Sequence, residues 1–112
     1  MTVTSVRPAV GASLERFRQG LAARFGPRLR DLRLFGSHAR GEARPESDVD
    51  VLVLVDELTR AERREIIDLA ADLDLEEFVG LAPLAMSTAH FQRLRALEAG
   101  LALDLEREGV PL

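Results

Sequence analysis

Three features of the chain predict an α/β (α+β) domain, a small mixed β-sheet of about three to four strands flanked by helices. Apolar residues recur at helical spacing in the first quarter, an apolar run of strand length follows Asp50, and a capping pattern opens a helix soon after that run. The patterns leave strand order open. With 112 residues, 46% hydrophobic and 30% charged, the expectation is one globular domain spanning residues 1–112 with enough length for a proper core.

Residues 11–26 place Leu14, Phe17, Leu21 and Phe25 three and four apart and end at Gly26-Pro27, the pattern of an amphipathic helix with a breaker. Leu32-Arg33-Leu34-Phe35 reads as the end of a strand over about 30–35, closed by Gly36-Ser37. The second strand, about 49–55, carries Val51-Leu52-Val53-Leu54-Val55 and is apolar on both faces, as a strand buried under helices must be. Thr59-Arg60-Ala61-Glu62 is a capping box, and it starts a helix with Ile66, Leu69, Ala70 and Leu73 on one face that ends before Gly80. A third strand is expected near 81–86, where Pro83 requires an edge position or a strand end because it cannot donate a ladder hydrogen bond. A helix from Ser87 or Thr88 to about Gly100 and a final helical turn or two over 101–108 complete the expectation.

Composition removes several function classes. The chain has no Cys, which excludes disulfides, thiolate zinc sites and a cysteine nucleophile. No apolar stretch approaches a membrane span and the first residues lack a signal-peptide core, so the expectation is a cytoplasmic protein without membrane association. Residues 1–46 carry a net charge of +5 and residues 47–112 a net of −9, giving −4 in total. That acidic balance and an aromatic content of five Phe argue against general nucleic-acid binding. His38 reads as a loop residue and His90 as a helix residue with no second His nearby, so neither is assigned to the site.

Gly36-Ser37, separated by ten residues from Asp48-Val49-Asp50, carries the chemistry. In a strand, residues two apart point to the same face about 6.5–7 Å apart, so Asp48 and Asp50 project together while Val49 turns into the core. Paired carboxylates repel unless a cation sits between them. Magnesium suits the role, because it binds one or two carboxylates together with phosphate oxygens and waters. Gly36 lets a phosphate approach the backbone, and the Ser37 hydroxyl can donate to it. Arg40 and Arg44 lie in the same loop, where guanidinium groups match phosphate geometry.

The stretch from Leu34 to Val53 resembles the signature of the minimal nucleotidyltransferases of the DNA polymerase beta superfamily. Its motif covers about a fifth of the chain, and the size, the order of elements and the closing residues Leu105 to Val110 resemble small members of that group. The resemblance implies a polymerase-beta-like nucleotidyltransferase core that transfers a nucleoside monophosphate, AMP from ATP, to an acceptor hydroxyl with Mg2+. By motif position, Gly36, Ser37, Arg40 and Ser47 are the nucleotide-binding residues, and Asp48 and Asp50 are the metal ligands and catalytic carboxylates. Minimal members are often encoded beside a small helical HEPN-type ribonuclease toxin, acting as its antitoxin and in some cases adenylylating it. Such a partner protein is therefore implied for a chain with no substrate domain.

One departure from the family pattern matters. Active members carry a third carboxylate on the next strand, whereas Leu81-Ala82-Pro83-Leu84-Ala85-Met86 contains no acid. Asp72, Asp74, Glu76 and Glu77 come just before it, on a helix or its end, where acidic residues ordinarily form a solvated face. The alternative is therefore a catalytically impaired binding module that neutralises or assembles with a partner by contact, its acidic second half facing a basic surface.

Overall fold

The computed structural model describes residues 8–36, 48–77, 79–97, 100 and 107–112. Helix α1 (Pro8–Phe25) leads through a 3-10 turn at Gly26–Arg28 into strand β1 (Leu29–Phe35). Strand β2 (Val49–Val55), helix α2 (Arg60–Glu77), strand β3 (Leu81–Ser87), helix α3 (Thr88–Ala96) and the short strand β4 (Val110–Pro111) follow. The sheet is mixed, in the order β3-β2-β1-β4: β2 runs parallel to β3, while β1 runs antiparallel to both β2 and β4. As Pro83 requires, β3 lies at an edge.

Alternation along β2 builds a core on each side of the sheet. Val49, Val51, Val53 and Val55 are fully buried and pack with α1 (Phe17, Leu21) and α2 (Ile66, Ala70, Leu73). Leu52 and Leu54 point the other way and join Met86 of β3 and Phe91 of α3. Each such burial contributes roughly 1.5–3 kcal/mol relative to exposure, and β2 is the most deeply buried of the three long strands. No helix among the described residues is long and apolar enough to cross a membrane.

Element ends differ in three places. Helix α1 starts at Pro8, ahead of the expected Gly11. Helix α3 stops at Ala96 rather than near Gly100, because its sheet contacts are complete at Phe91 and Leu94 and the next apolar residue, Leu97, is exposed. Strand β4 carries no legible signal at two residues, yet it pairs Val110 with Leu34, and the Leu112 N–H donates to the Leu32 carbonyl at 2.9 Å. Of the expected closing helical turns, Arg107 and Glu108 are helical and residues 101–106 lie outside the described residues.

The capping box forms as its sequence predicts. The Glu62 N–H donates to Thr59 Oγ1 at 3.1 Å, and the Thr59 N–H donates to Glu62 Oε1 at 3.0 Å. Arg28 adds a fork, donating to Glu62 Oε2 at 2.7 Å and Oε1 at 2.8 Å while its other N–H groups reach the Asp56 and Glu57 carbonyls. One side chain thus ties the start of β1 to the β2–α2 turn and to the head of α2. The Arg28 guanidinium, followed by the Thr59 backbone N–H, holds the Glu62 carboxyl down to about 2.

A carboxyl whose folded value lies below its unfolded one stabilises the fold above the unfolded value, and that contribution is lost as pH falls toward the folded one. Urea unfolding followed from pH 6 down to pH 2 is expected to show a loss beginning near the ordinary carboxylate value and continuing to about 2. The Glu62→Gln variant should lack that component of the pH dependence. Thr59→Ala, which removes the N-cap oxygen, is expected to cost about 1 kcal/mol at neutral pH.

Candidate functional site

The two aspartates flank the first residue of β2. Val49 is fully buried in the core under α1 and α2, Asp48 stands exposed just before the strand, and Asp50 is half-buried on the opposite face from Val49. Burial of Val49 therefore directs the Asp50 carboxylate out of that core. In the sheet register Asp50 lies opposite Phe35 of β1 and beside Ala82 of β3.

A glycine with positive φ stands against each carboxylate. Gly36, at φ +71°, follows Phe35, and a Cβ built on it would overlap Asp50 Oδ2. Only a residue without a side chain brings the end of β1 this close to the carboxylate. Gly80, at φ +76°, precedes β3, and a Cβ there would lie 3.3 Å from Asp48 Oδ1. The Gly80 carbonyl accepts the Val49 N–H at 2.9 Å, so the turn before β3 holds the residue between the two aspartates.

That turn is fixed from α2. Asp74 Oδ1 accepts the Leu81 N–H at 2.8 Å. Asp74 is accordingly not part of a freely solvated face, as the sequence pattern implied, but ties the end of α2 to the head of β3. Its neighbours fit the expectation better: Asp72 and Glu76 are exposed, and Glu76 pairs with Arg16 at 2.7 Å across the surface. Gly80 belongs to no motif, and its sequence signal is a lone glycine between an acidic helix end and an apolar strand.

Of the six site residues expected from sequence, Gly36 and Asp50 are brought into contact distance, and Asp48 lies on the other side of Val49. Ser37, Arg40 and Ser47 lie outside the described residues. No group of three or more His, Cys, Asp or Glu able to hold a metal occurs among the described residues. Two carboxylates supply hard oxygen ligands only, a donor set that suits a cation completing its shell with phosphate oxygens and water.

Residues 14–96 match the family model described as "Nucleotidyltransferase domain". Protein adenylyltransferase MntA of Thermococcus cleftensis is 36% identical over 90 residues, covering 80% of this chain and 79% of that one. A crystal structure of a toxin–antitoxin with AMP-PNP superposes with a TM-score of 0.56 at 26% identity, covering 87% of this chain and 70% of that one. A structure provisionally described as a minimal nucleotidyltransferase gives a TM-score of 0.57 at 31% identity, covering 100% of this chain and 97% of that one.

Two substitutions test the glycine contacts. Gly36→Ala places a methyl group on the Asp50 carboxylate and a side chain at positive φ, so it is expected to lower stability by roughly 1–2 kcal/mol and to displace Asp50. Gly80→Ala carries the same backbone cost with a milder contact to Asp48. Crystal structures of both variants should show a shifted Asp50 carboxylate in the first and a smaller movement of Asp48 in the second.

Proposed function

Because the chain belongs to the nucleotidyltransferase domain family, we propose that it transfers AMP from ATP to a hydroxyl of a partner protein, as the antitoxin of a pair whose toxin is a small helical HEPN-type ribonuclease. The contact between Gly36 and the Asp50 carboxylate carries this reading, since it sets a side-chain-free backbone turn against an acid at the end of a rigid strand. The relative named protein adenylyltransferase MntA supports the reaction class, and the neighbour described as a toxin–antitoxin with AMP-PNP supports a toxin–antitoxin pairing.

In this reaction the acceptor oxygen attacks the α-phosphorus, the bond to the bridging oxygen breaks, and pyrophosphate leaves. Asp48 and Asp50 are the residues that would hold Mg2+ with the triphosphate. When bound, the ion neutralises phosphate charge and positions the leaving group. Gly36 leaves the backbone open to the phosphates, and Ser37, Arg40 and Ser47 complete the nucleotide-binding set. The rigidity of β2 supplies the positioning on which phosphoryl transfer mainly depends.

The acceptor proton needs another recipient. Ala82 occupies the β3 position beside Asp50, and Asp74 is on α2 with its Oδ1 accepting the Leu81 N–H. The proton goes to solvent or to a group supplied by the partner when the two proteins meet. The same acid-free strand favours a second reading, in which the domain binds its partner and neutralises it by contact alone.

Incubating the protein and the proposed partner protein with Mg-ATP and recording intact masses separates the two. Transfer predicts a partner heavier by one AMP, with formation reduced roughly 100-fold or more in Asp48→Asn and Asp50→Asn, the scale of losing several kcal/mol of charge stabilisation. An unmodified partner that is still neutralised by wild type and by both variants would establish the contact reading instead.

A further inference from the structure

The acidic second half of the sequence hides a cationic groove. Arg60 and Arg63 from the head of α2, with His90 and Arg93 from α3, line a cavity of about 420 Å³ whose floor is Leu84–Ser87 of β3. The groove lies toward the end of β2–β3 remote from the aspartates. Its floor pairs with Leu52–Val55, so it runs away from Asp50 along the strands by up to roughly 15 Å. No carboxylate among the described residues forms an ion pair with Arg60, Arg63 or Arg93.

The walls come from opposite faces of the sheet. Helix α2 packs on the Val51–Val53–Val55 face and α3 on the Leu52–Leu54 face, so the outer edge of β3 lies between them. Among the described residues, strand β3 has a strand neighbour on one side only. An extended segment added to such an edge gains main-chain hydrogen bonds, and its successive side chains point to the two faces alternately. Here consecutive residues would meet Arg60 and Arg63 on one side and His90 and Arg93 on the other.

We propose that this edge groove docks an extended acidic segment of a partner protein, with adjacent Asp or Glu residues facing the two arginine walls. Charge complementarity selects this occupant. A second copy of the chain is disfavoured, because pairing β3 with β3 would bring two sets of three arginines together. Nucleic acid is disfavoured by a lining that offers no Phe, Tyr or Trp for base stacking. Neither the groove nor its charge depends on nucleotide chemistry at the aspartates, so this docking stands or falls separately from AMP transfer.

The test uses a fluorescein-labelled eight-residue peptide with two Glu-Glu pairs separated by valines, its Lys-Lys counterpart and an eight-nucleotide thymidylate. Wild type is expected to bind the acidic peptide, more weakly as salt rises, with amide shifts in 15N-labelled protein centred on Leu84–Ser87. The exposed double variant Arg63→Glu/Arg93→Glu, shown to be folded by its urea midpoint, should lose at least tenfold in affinity for the acidic peptide and gain affinity for the lysine peptide. Absence of acidic-peptide binding at millimolar concentration, equal or tighter binding of the thymidylate, or dimerisation through β3 in sedimentation velocity would each overturn the proposal. Loss of both peptides in the folded double variant, without the swap, would also overturn it.

Discussion

The full burial of Val49 is the constraint on which the site depends. As the first residue of β2 it is held on both sides of its backbone: its N–H is bound by the Gly80 carbonyl, and its side chain is packed in the core under α1 and α2. With Val49 fixed inward, Asp50 must face outward, and Asp48 leaves the strand beside it. A one-residue slip of β2 would bury a carboxylate and expose a valine, which the alternation of the strand forbids. Placement of the acids is thus a consequence of core packing.

Two polar ties hold the ends of this arrangement, and they do different things. At one end, Asp74 fixes the Gly80–Leu81 turn and through it the residue between the aspartates. At the other, Arg28 and Glu62 join β1, the β2–α2 turn and the head of α2, where Glu62 also completes its helix cap. The first tie lies beside the carboxylates, and the second lies beside the helix head that contributes Arg60 and Arg63 to the edge groove. The sheet therefore separates the two aspartates from the arginine-lined edge groove, at opposite ends of the same parallel strand pair.

Local patterns reveal most of the framework because the forces behind them are local. The capping box at Thr59–Glu62, the breaker at Gly26-Pro27 and the run Val51–Val55 each become the element their chemistry implies. Pro83 correctly signals an edge, since a missing N–H is tolerated there. What stays hidden is tertiary. Strand β4 exists only by pairing with β1, and Asp74 looks like any acid on a helix until Leu81 is brought against it. The charge of the second half misleads for a similar reason: a sum of −9 takes no account of three arginines converging on one strand edge. In the motif, the approach of Gly36 to Asp50 and the role of Gly80 both emerge only from the pairing of β2 with its neighbours.

A third acid is missing from β3, so binding of the metal–nucleotide pair is the property that rests most directly on Asp48 and Asp50. Titration of ATP into the protein by calorimetry, with Mg2+ and then with EDTA, measures it without knowledge of the acceptor. A heat of binding that requires Mg2+ in wild type and disappears in Asp48→Asn/Asp50→Asn is expected. Equal ATP affinity with and without Mg2+, or unchanged Mg-ATP binding in the double variant, would contradict it.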